Sequence, residues 1–241
     1  MYAYLRLETL RLLRDGGFII MSLVMPVTIY LLFSALLLSD HPTNDELVTS
    51  MVGMAGFGAL GSVVNSCVGV AEDKDIGWLR QLRLTPLSPV AVVVGRGLCA
   101  MGLVLLPLTA VGLLGWLVKG VHLDAAHWAG TFLLMWIGII PMILIGLGAG
   151  YLLSVQKAHT YGLLGYMVLS AIGGMWVTID RLPGWVQPAS KITPTFRFGQ
   201  LSRDASAGHT PAIATVAILA GWAVIGAAFA LYSYRRSGRT G

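Results

Sequence analysis

Residues 47–71 read LVTSMVGMAGFGALGSVVNSCVGVA, and no Asp, Glu, Lys or Arg occurs between Glu46 and Glu72. A helix needs about 20 apolar residues to cross the hydrocarbon core of a bilayer, and a charge at the bilayer centre costs about 2.5–3.5 kcal/mol. This stretch is long enough and apolar enough to predict a membrane-spanning helix.

Five further charge-free runs of similar length follow the same rule. Together the six runs predict spans at residues 17–38, 47–71, 90–118, 128–153, 161–179 and 212–234. Only 11% of the residues carry a charge, whereas a soluble domain is about a quarter charged. Too little polar sequence remains to cover a soluble core, so the predicted fold class is an all-α integral membrane protein with a single transmembrane domain.

Positive charges are distributed unequally between the two sides of these spans. One side holds Arg6, Arg11, Arg14, Lys74, Arg80, Arg83, Lys157, Arg235, Arg236 and Arg239, with Arg96 just inside the third span. The other side holds Lys119, Arg181, Lys191, Arg197 and Arg203. Because Lys and Arg are enriched in cytoplasmic loops, both termini are expected in the cytoplasm, with the chain multi-pass in the inner or plasma membrane.

Residues 1–15 precede the first span and have an amphipathic pattern. Leu5, Leu12 and Leu13 fall near one helical face, and Arg6 lies on its polar border. This pattern predicts an interfacial helix whose arginines contact anionic lipid headgroups. The alternative is a simple cytoplasmic extension of the first span.

Several motifs predict packing rather than chemistry. GFGALG at residues 56–61 matches a dinucleotide fingerprint, but it lies inside an apolar helix with no preceding strand, so we reject that interpretation. Gly146 and Gly150 form a G-x-x-x-G pattern, which predicts close helix contact. Cys67 and Cys99 are expected to be packing residues, and the histidines lack metal-ligand spacing, so no metal site is predicted.

The loop at residues 72–89 reads EDKDIGWLRQLRLTPLSP. Acids crowd its start, where a helix N-terminus favours negative charge. Apolar residues recur at helical spacing from Ile76 to Leu82, Pro86 ends the predicted helix, and Ser88 is placed to cap the third span. A solvated connector gains nothing from a tryptophan and several leucines, which favours a protein partner. Lipid contact is the alternative.

This loop resembles that of the type-2 membrane-domain family of ABC transporter permeases. Family members have a mixed acidic and basic cluster, a glycine, a leucine-containing helix and then Leu-Arg-x-Thr-Pro-Leu. The corresponding features here are residues 72–75, Gly77, Leu79 and LRLTPL at residues 82–87. Trp78 departs from the family, in which small or polar residues are commoner.

A second likeness lies before the last span. LPGW at residues 182–185 and ITPT at residues 192–195 match the family's Leu-Pro-x-Trp and Thr-Pro pattern. The resemblance covers the whole chain in span count, topology and loop placement. It implies a six-span permease with an N-terminal interfacial helix, a cytoplasmic coupling helix and outer re-entrant helices.

For the loop, the resemblance implies a coupling helix that sits on a separate ATP-binding subunit and transmits its closure to the spans. The residues assigned to this contact are Glu72, Asp73, Asp75, Gly77, Trp78, Leu79, Leu82, Arg83, Thr85 and Pro86. The chain has no G-x-x-x-x-G-K-[ST] motif, so ATP and Mg²⁺ are expected in the partner, with no cofactor and no catalytic residue in this chain. It is expected to pair with a second copy or with a related permease.

The segment at residues 180–211 is broken by prolines and mixes apolar with cationic residues. It predicts one or two short re-entrant helices in the outer leaflet, as in the family. The residues assigned to an outer gate are Pro183, Trp185, Pro194 and Phe196. A structural cap over the bundle is the alternative.

The family lines its transport path mainly with the second and fifth spans. The corresponding candidates are Phe57, Ser62, Asn65, Met167, Ser170, Met175 and Trp176. An interhelical hydrogen bond explains Asn65 equally well, and Met and Trp in an apolar helix usually serve packing.

The resulting hypothesis is the permease of an ATP-driven exporter that moves an apolar or amphiphilic compound out of the cell. Its compact form resembles drug and antibiotic exporters, including self-resistance systems. A stand-alone carrier or channel would require a charge at mid-membrane, and none is predicted there. A membrane-bound enzyme would require clustered His, Asp or Glu, which the sequence lacks. A non-transporting anchor or immunity protein stays open, and nothing predicts a nucleic-acid partner.

Overall fold

The computed structural model describes residues 19–36, 42–83, 88–176 and 183–237. Within these ranges every regular element is a helix, which confirms the all-helical prediction for this part of the chain. The helices are α1 (Met25–Leu36, preceded by a π-helical turn, Ile20–Val24), α2 (Asn44–Asp75), α3 (Trp78–Arg83), α4 (Pro89–Leu117), α5 (Ala125–Gly138), α6 (Ile140–Leu152), α7 (Val155–Ile172), α8 (Val186–Ile192), α9 (Pro194–Ser206) and α10 (Ile213–Arg236).

Four helical stretches are long and apolar enough to cross a membrane. They are Asn44–Asp75, Pro89–Leu117, Ala125–Leu152 and Ile213–Arg236, which coincide with the second, third, fourth and sixth predicted spans. The multi-pass prediction is therefore supported by the structure.

The first and fifth predicted spans stay predictions. A shorter apolar helix, Ser22–Ser34, lies in the first, and both ends of that predicted span fall outside the described residues. In the fifth, α7 begins earlier than predicted, with the polar Gln156 and Lys157, and it ends at Ile172. The interfacial helix predicted at residues 1–15 also lies outside the described residues.

Helix α2 lies at the centre of the bundle and contacts α1, α4, α6, α7 and α9. Every residue from Met51 to Val63 is buried. Its first turn is closed by a capping box: the Glu46 amide donates to Thr43 Oγ1 (3.4 Å), and the Thr43 amide donates to the Glu46 carboxylate (3.0 Å). The middle of α2, residues 47–71, carries no charge, and its burial agrees with this uninterrupted apolar run.

Small residues allow α6 to approach α2 closely. A Cβ atom added at Gly146 would lie 2.8 Å from Val63 Cγ1, and one at Gly150 would lie 2.4 Å from the Cys67 carbonyl oxygen. Both distances are shorter than van der Waals contact, so only glycine fits. The G-x-x-x-G prediction is therefore confirmed as a helix-packing motif.

The fourth predicted span is two helices instead of one. Helix α5 ends at Gly138, Ile139 forms a turn, and Pro141 lies in the first turn of α6. Proline cannot donate a backbone hydrogen bond to the preceding turn and clashes with it, so the helix breaks here. The Trp136 indole N–H donates to the Met101 carbonyl (2.9 Å) and holds α5 against α4.

Contacts between distant segments define two ends of the bundle. At the first, which we call the loop end, the Lys74 ammonium donates to the Tyr151 carbonyl (3.5 Å), and the Tyr151 and Tyr234 ring centroids lie 5.2 Å apart. At the opposite end, the Asn44 side chain exchanges two hydrogen bonds with the His122 backbone (2.9 and 3.0 Å). Helices α2 and α4 therefore run in opposite directions, with α3 between them at the loop end.

Replacing Gly150 with alanine is expected to destabilise the fold by roughly 1–3 kcal/mol, because the added methyl group would collide with the α2 backbone. Gly102→Ala is the matched control, since no neighbouring atom lies within 4 Å of a Cβ at Gly102 in α4. Thermal unfolding in detergent can be followed by labelling the buried Cys67 and Cys99 with a thiol-reactive fluorophore. Equal unfolding midpoints for the two variants would contradict the close packing of α6 on α2.

Candidate functional site

A short helix, α3, is present in the loop at residues 72–89, as predicted, but it begins later than expected. Glu72, Asp73 and Asp75, expected at its N-terminus, lie instead in the last turn of α2. Helix α2 ends at Asp75, a turn at Ile76 and Gly77 follows, and α3 begins at Trp78. Gly77 has a φ angle of +79°, in the left-handed region that strains residues with a side chain. Glycine therefore allows the chain to leave α2 and begin a new helix within two residues.

The start of α4 also follows the prediction. Ser88 Oγ accepts a hydrogen bond from the Ala91 amide (3.2 Å), and Pro89 occupies the first helical turn. Thr85 and Pro86, both assigned to the partner contact, lie outside the described residues.

The apolar side of α3 packs against the bundle. Leu79 is buried, with an exposed fraction of 3%, and Leu82 packs partly buried against the same core. Trp78 is half-buried. Leu79 therefore anchors α3 to its own chain, whereas the sequence had assigned it to a partner.

The opposite side of α3 and the turn before it are open. Asp75 and Gln81 are exposed, and Ile76 is exposed to 69% although its side chain is apolar. We call Asp75, Ile76 and Gln81 the loop-end surface. It offers a partner one apolar group flanked by a carboxylate and an amide.

The acidic cluster at the start of the loop is divided between two environments. Asp73 forms a buried ion pair with Arg96 of α4, with side-chain exposures of 3% and 6%. Glu72 is half-buried, and Asp75 is exposed. The carboxylates that the sequence grouped together therefore face different surroundings.

Sequence reasoning did not identify the partner of Arg96. It counted Arg96 as a cation just inside the third span, whereas the structure buries it against the last turn of α2. The available signal was a single charge inside an otherwise apolar helix, which usually has a specific partner. The identity of that partner depended on how α2 and α4 align.

The aromatic members of the predicted transport path form one packed cluster. The Phe57 ring stacks on Tyr166 of α7, with centroids 4.3 Å apart, and meets the Trp176 ring edge-on at 5.3 Å. Met175 is buried in the same core, and Met167 packs against it. The structure therefore brings the second and fifth predicted spans together, and it adds Tyr166, which the sequence had not singled out.

The polar members of the path are hydrogen-bonded along their own helices or lie beside a small cavity. Ser62 Oγ donates to the Gly58 carbonyl (3.4 Å), and Ser170 Oγ donates to the Tyr166 carbonyl (2.6 Å). Asn65 borders a cavity of about 20 Å³ between α2, α4 and α6. A cavity of this size has room for about one water molecule. These polar candidates therefore lie among packed helices, and their place in a transport path stays a prediction.

The residues assigned to an outer gate are divided between surface and core. Pro183 and Trp185 are exposed, Trp185 to 82%, whereas Pro194 and Phe196 are buried in the first turn of α9. Thr193 caps that turn by accepting a hydrogen bond from the Phe196 amide (3.3 Å). The segment contains two short helices, α8 and α9, where one or two were expected, and their re-entrant position in a membrane stays a prediction.

Phe198 of α9 is buried in the core of the bundle, with an exposed fraction of 1%, and it was not predicted as a site residue. Its ring is buried where a Cβ atom added at Gly56 would lie 2.8 Å away and one at Gly138 would lie 3.1 Å away. Phe198, Leu201 and Ala205 share one buried face of α9, a helical periodicity that could have identified it.

Side chains near this segment are linked to the bundle by polar contacts. The Trp222 indole N–H of α10 donates to the Ile192 carbonyl (2.9 Å). Desolvation lowers the pKa of the Arg203 guanidinium, and the charge of the neighbouring Asp204 opposes that shift. The segment is thus hydrogen-bonded to α10, and its Arg203 is partly removed from water. Both observations are compatible with a cap and with a gate.

A separate apolar groove of about 680 Å³ lies between α4 and α5. Trp116, Trp128 and Phe132 are among the residues that form its walls. None of the seven predicted path residues lines it. The groove and the predicted path are therefore distinct features of the fold.

The described residues contain no group of three His, Cys, Asp or Glu that could hold a metal ion. Cys67 and Cys99 are both buried thiols, in agreement with a packing role. The charged and polar groups of the loop end are the candidate functional site.

Comparison with known proteins adds two findings. Residues 1–205 match the family described as ABC-2 type transporter. A protein of Bacillus subtilis (strain 168), provisionally named transport permease YvfS, is 24% identical over 214 residues, which cover 88% of this chain and 87% of that protein.

Leu79→Ala is expected to destabilise the chain by roughly 2–5 kcal/mol, because it leaves a cavity under α3. Ile76→Ala is the matched control, and its effect is expected to stay within about 0.5 kcal/mol, since its side chain is largely exposed. Denaturant or thermal unfolding of the chain alone in detergent measures both. A destabilisation of the same size in both variants would contradict the inward orientation of Leu79.

Proposed function

The chain belongs to the ABC-2 type transporter family, and we propose from this premise that it is the membrane permease of an ATP-driven exporter whose ATP-binding subunit is a separate chain. Family membership makes it a membrane subunit of a transporter. The energy source, the direction and the cargo belong to the proposal.

The observation that carries the proposal is the loop-end surface. Helix α3 packs on the bundle through Leu79, and it stands at the junction of α2 and α4, two of the apolar helices long enough to cross a membrane. Ile76 is exposed beside Asp75 and Gln81, away from the core. A single exposed apolar group is ordinary on a protein surface. Its place on the ordered turn between α2 and α3, together with the family of the chain, is what favours a protein partner here. The partner we propose is the ATP-binding subunit, which would hold ATP and Mg²⁺.

Asp75, Ile76 and Gln81 would contact that subunit directly. Leu79 and Leu82 would transmit the displacement of α3, because they connect it to the bundle core. Gly77 would let α3 change its angle relative to α2. Three residues of the original assignment thus act behind the contact instead of in it.

The proposed cargo is apolar or amphiphilic. The packed cluster of Phe57, Tyr166, Met175 and Trp176 offers aromatic and thioether surface between α2 and α7. Separation of α7 from α2 would expose this surface to a compound entering from the cytoplasm or inner leaflet. Ser62, Asn65 and Ser170 would supply its few polar groups.

We further propose that two permease copies, identical or related, enclose the path, with six spans in each and both termini in the cytoplasm. The described cations support this orientation. Among the described residues the loop end carries six cations, Lys74, Lys157, Arg235 and Arg236 together with Arg80 and Arg83 of α3. The opposite end carries four, Lys119, Lys191, Arg197 and Arg203. The positive-inside rule therefore favours a cytoplasmic loop end.

A stand-alone carrier is the second candidate, and the Asp73–Arg96 pair is the observation that favours it. Carriers commonly use buried ionisable residues. The pair is electrically neutral as a whole and lies at the loop end, where a connecting role between helices explains it equally well. Family membership favours the exporter.

The orientation can be tested with single cysteines at two exposed positions, Trp185→Cys and Ile76→Cys. A membrane-impermeant thiol reagent is expected to label Trp185→Cys in intact cells and Ile76→Cys only after permeabilisation, because the two lie at opposite ends of the bundle. The native Cys67 and Cys99 are buried and provide the background. Labelling of Ile76→Cys in intact cells would contradict a cytoplasmic loop end.

The partner can be tested by co-purifying the chain with ABC ATP-binding subunits from the same genome. Ile76→Asp is expected to weaken retention of the subunit by about tenfold, equivalent to about 1.4 kcal/mol, because a charge replaces the central apolar contact. Val118→Asp is the matched control, an exposed valine at the opposite end of the bundle.

Unfolding midpoints of both variants, measured alongside, exclude loss of fold as the cause. Retention of an ATP-binding subunit by neither the wild type nor the variants would favour the carrier or the anchor. Equal retention by wild type and Ile76→Asp would show that the subunit binds elsewhere.

A further inference from the structure

The buried ion pair at the loop end has a position that its contribution to packing does not explain. Asp73 lies in the last turn of α2, directly before the turn to α3, and Arg96 lies two turns into α4, directly after the loop. The two side chains therefore join the helices on either side of α3. Along the chain, a displacement of α3 reaches the bundle through these two helices, in addition to the contacts that Leu79 and Leu82 make with the core.

We propose that Asp73 and Arg96 form a fixed joint that makes the loop-end segments of α2 and α4 move as one unit when the loop-end surface is displaced. The inference rests on the proposed function, because it assigns the step that follows binding of an ATP-binding subunit. In this joint Asp73 and Arg96 are positioning residues. Asp73 therefore acts inside the bundle, whereas the sequence had assigned it to the partner contact.

The burial of the pair supports a joint over a chance contact. With exposures of 3% and 6%, both charges are largely removed from water, and their pairing offsets part of that cost. Removing one partner of a buried ion pair leaves an uncompensated charge and is strongly unfavourable, which resists separation of the two helices. Apolar contacts slide with little directional preference, whereas a carboxylate and a guanidinium hold one relative geometry.

On the side of a small cavity, the groups that lie beside Arg96 are neutral. Arg96 borders the cavity of about 20 Å³ that Asn65 and Ser66 of α2 and Leu147 of α6 also line. Asn65 and Ser66 are uncharged, and no further acid lines that cavity. Sliding α4 along α2 would therefore move the guanidinium toward neutral groups.

The neighbouring residue completes the attachment of α2. The Lys74 ammonium donates to the Tyr151 carbonyl (3.5 Å) at the end of α6, so consecutive residues tie α2 to α4 and to α6. Helix α3, by contrast, is attached by leucine contacts and by Gly77. The adjustable part of the loop end is therefore α3, and the fixed part begins at Asp73.

The test uses the complex of the full chain with its ATP-binding subunit in lipid nanodiscs. Ile213→Cys, exposed to 87% at the opposite end of the bundle, reports on movement there through its rate of labelling by a thiol reagent. The rate is compared without nucleotide and with ATP plus vanadate. Retention of the ATP-binding subunit and the unfolding midpoint are measured on the same samples.

Asp73→Asn and Arg96→Gln are expected to retain the ATP-binding subunit and to lose most of the nucleotide-dependent change at Ile213→Cys. Asp73→Arg combined with Arg96→Asp is expected to recover it, because the opposite charges are again paired. Asp45→Asn, the same substitution at an exposed site at the other end of α2, is expected to behave as wild type.

The double variant Asp73→Leu with Arg96→Leu distinguishes the proposed joint from an ion pair that contributes to stability alone. Replacing a buried ion pair with apolar residues often leaves stability unchanged or raised, so this variant serves if the single variants do not fold. The joint requires that it fold, retain the subunit and lose the nucleotide-dependent change. The proposal is overturned if this variant, or a folded single variant, shows the same nucleotide-dependent change in Ile213→Cys labelling as the wild type. It is also overturned if the charge-reversed variant folds but does not recover that change.

Failure of the proposed function has a different signature. A wild-type chain that retains no ATP-binding subunit contradicts the exporter, and the joint with it, before any variant is compared. A wild-type complex that forms and responds to nucleotide, together with unaffected pair variants, overturns the joint alone.

Discussion

The rest of the structure depends on the close packing around α2. In an apolar environment helices gain little from burying apolar surface, so they associate through van der Waals contact, which requires small residues where backbones approach. A Cβ atom added at Gly53 would lie 2.4 Å from the Met175 carbonyl, and one at Gly58 would lie 2.6 Å from Pro107. Gly56 and Gly58 of GFGALG, the motif that resembles a nucleotide fingerprint, are contact points of this kind, because added Cβ atoms there would meet Phe198 and Pro107. They allow α9 and α4 to pack closely on the central helix.

A central helix packed against so many neighbours is held along its length. The contacts at its end determine how the loop end is attached to the bundle. Asp73 and Lys74 attach that end to α4 and α6, and Gly77 then separates it from α3. The loop end therefore consists of a fixed base and an adjustable short helix. That division suits a chain that receives a displacement from a partner and passes it to membrane helices. It also explains why the acidic cluster contains residues in unlike surroundings.

Several features could be predicted from the sequence because they depend on local chemistry. The helix at Trp78, the cap at Ser88 and the packing role of Gly146 and Gly150 follow from spacing, hydrogen-bonding capacity and side-chain size, and the structure confirms them. Other features could not be predicted in this way. A helical pattern places Ile76 and Leu79, three residues apart, on one face. The structure instead buries Leu79 and exposes Ile76, because the chain turns at Ile76 and Gly77 before α3 begins. Pro141 signals a kink in the fourth span, but a charge-free run with one proline is compatible with one kinked helix or with the two helices that the structure shows.

The sequence by itself determined the class of protein, its long apolar helices and the presence of a short helix in the loop, since charge-free length and residue periodicity are properties of the chain alone. Its loop motifs also indicated the family that the comparison then established. Only the tertiary structure decided which side chains of the loop face outward, that Arg96 pairs with Asp73, and that Phe57 stacks on Tyr166. These contacts join residues far apart in the chain, and their geometry depends on the rotation and alignment of whole helices. No local pattern encodes that alignment, because it results from the simultaneous packing of every helix around α2.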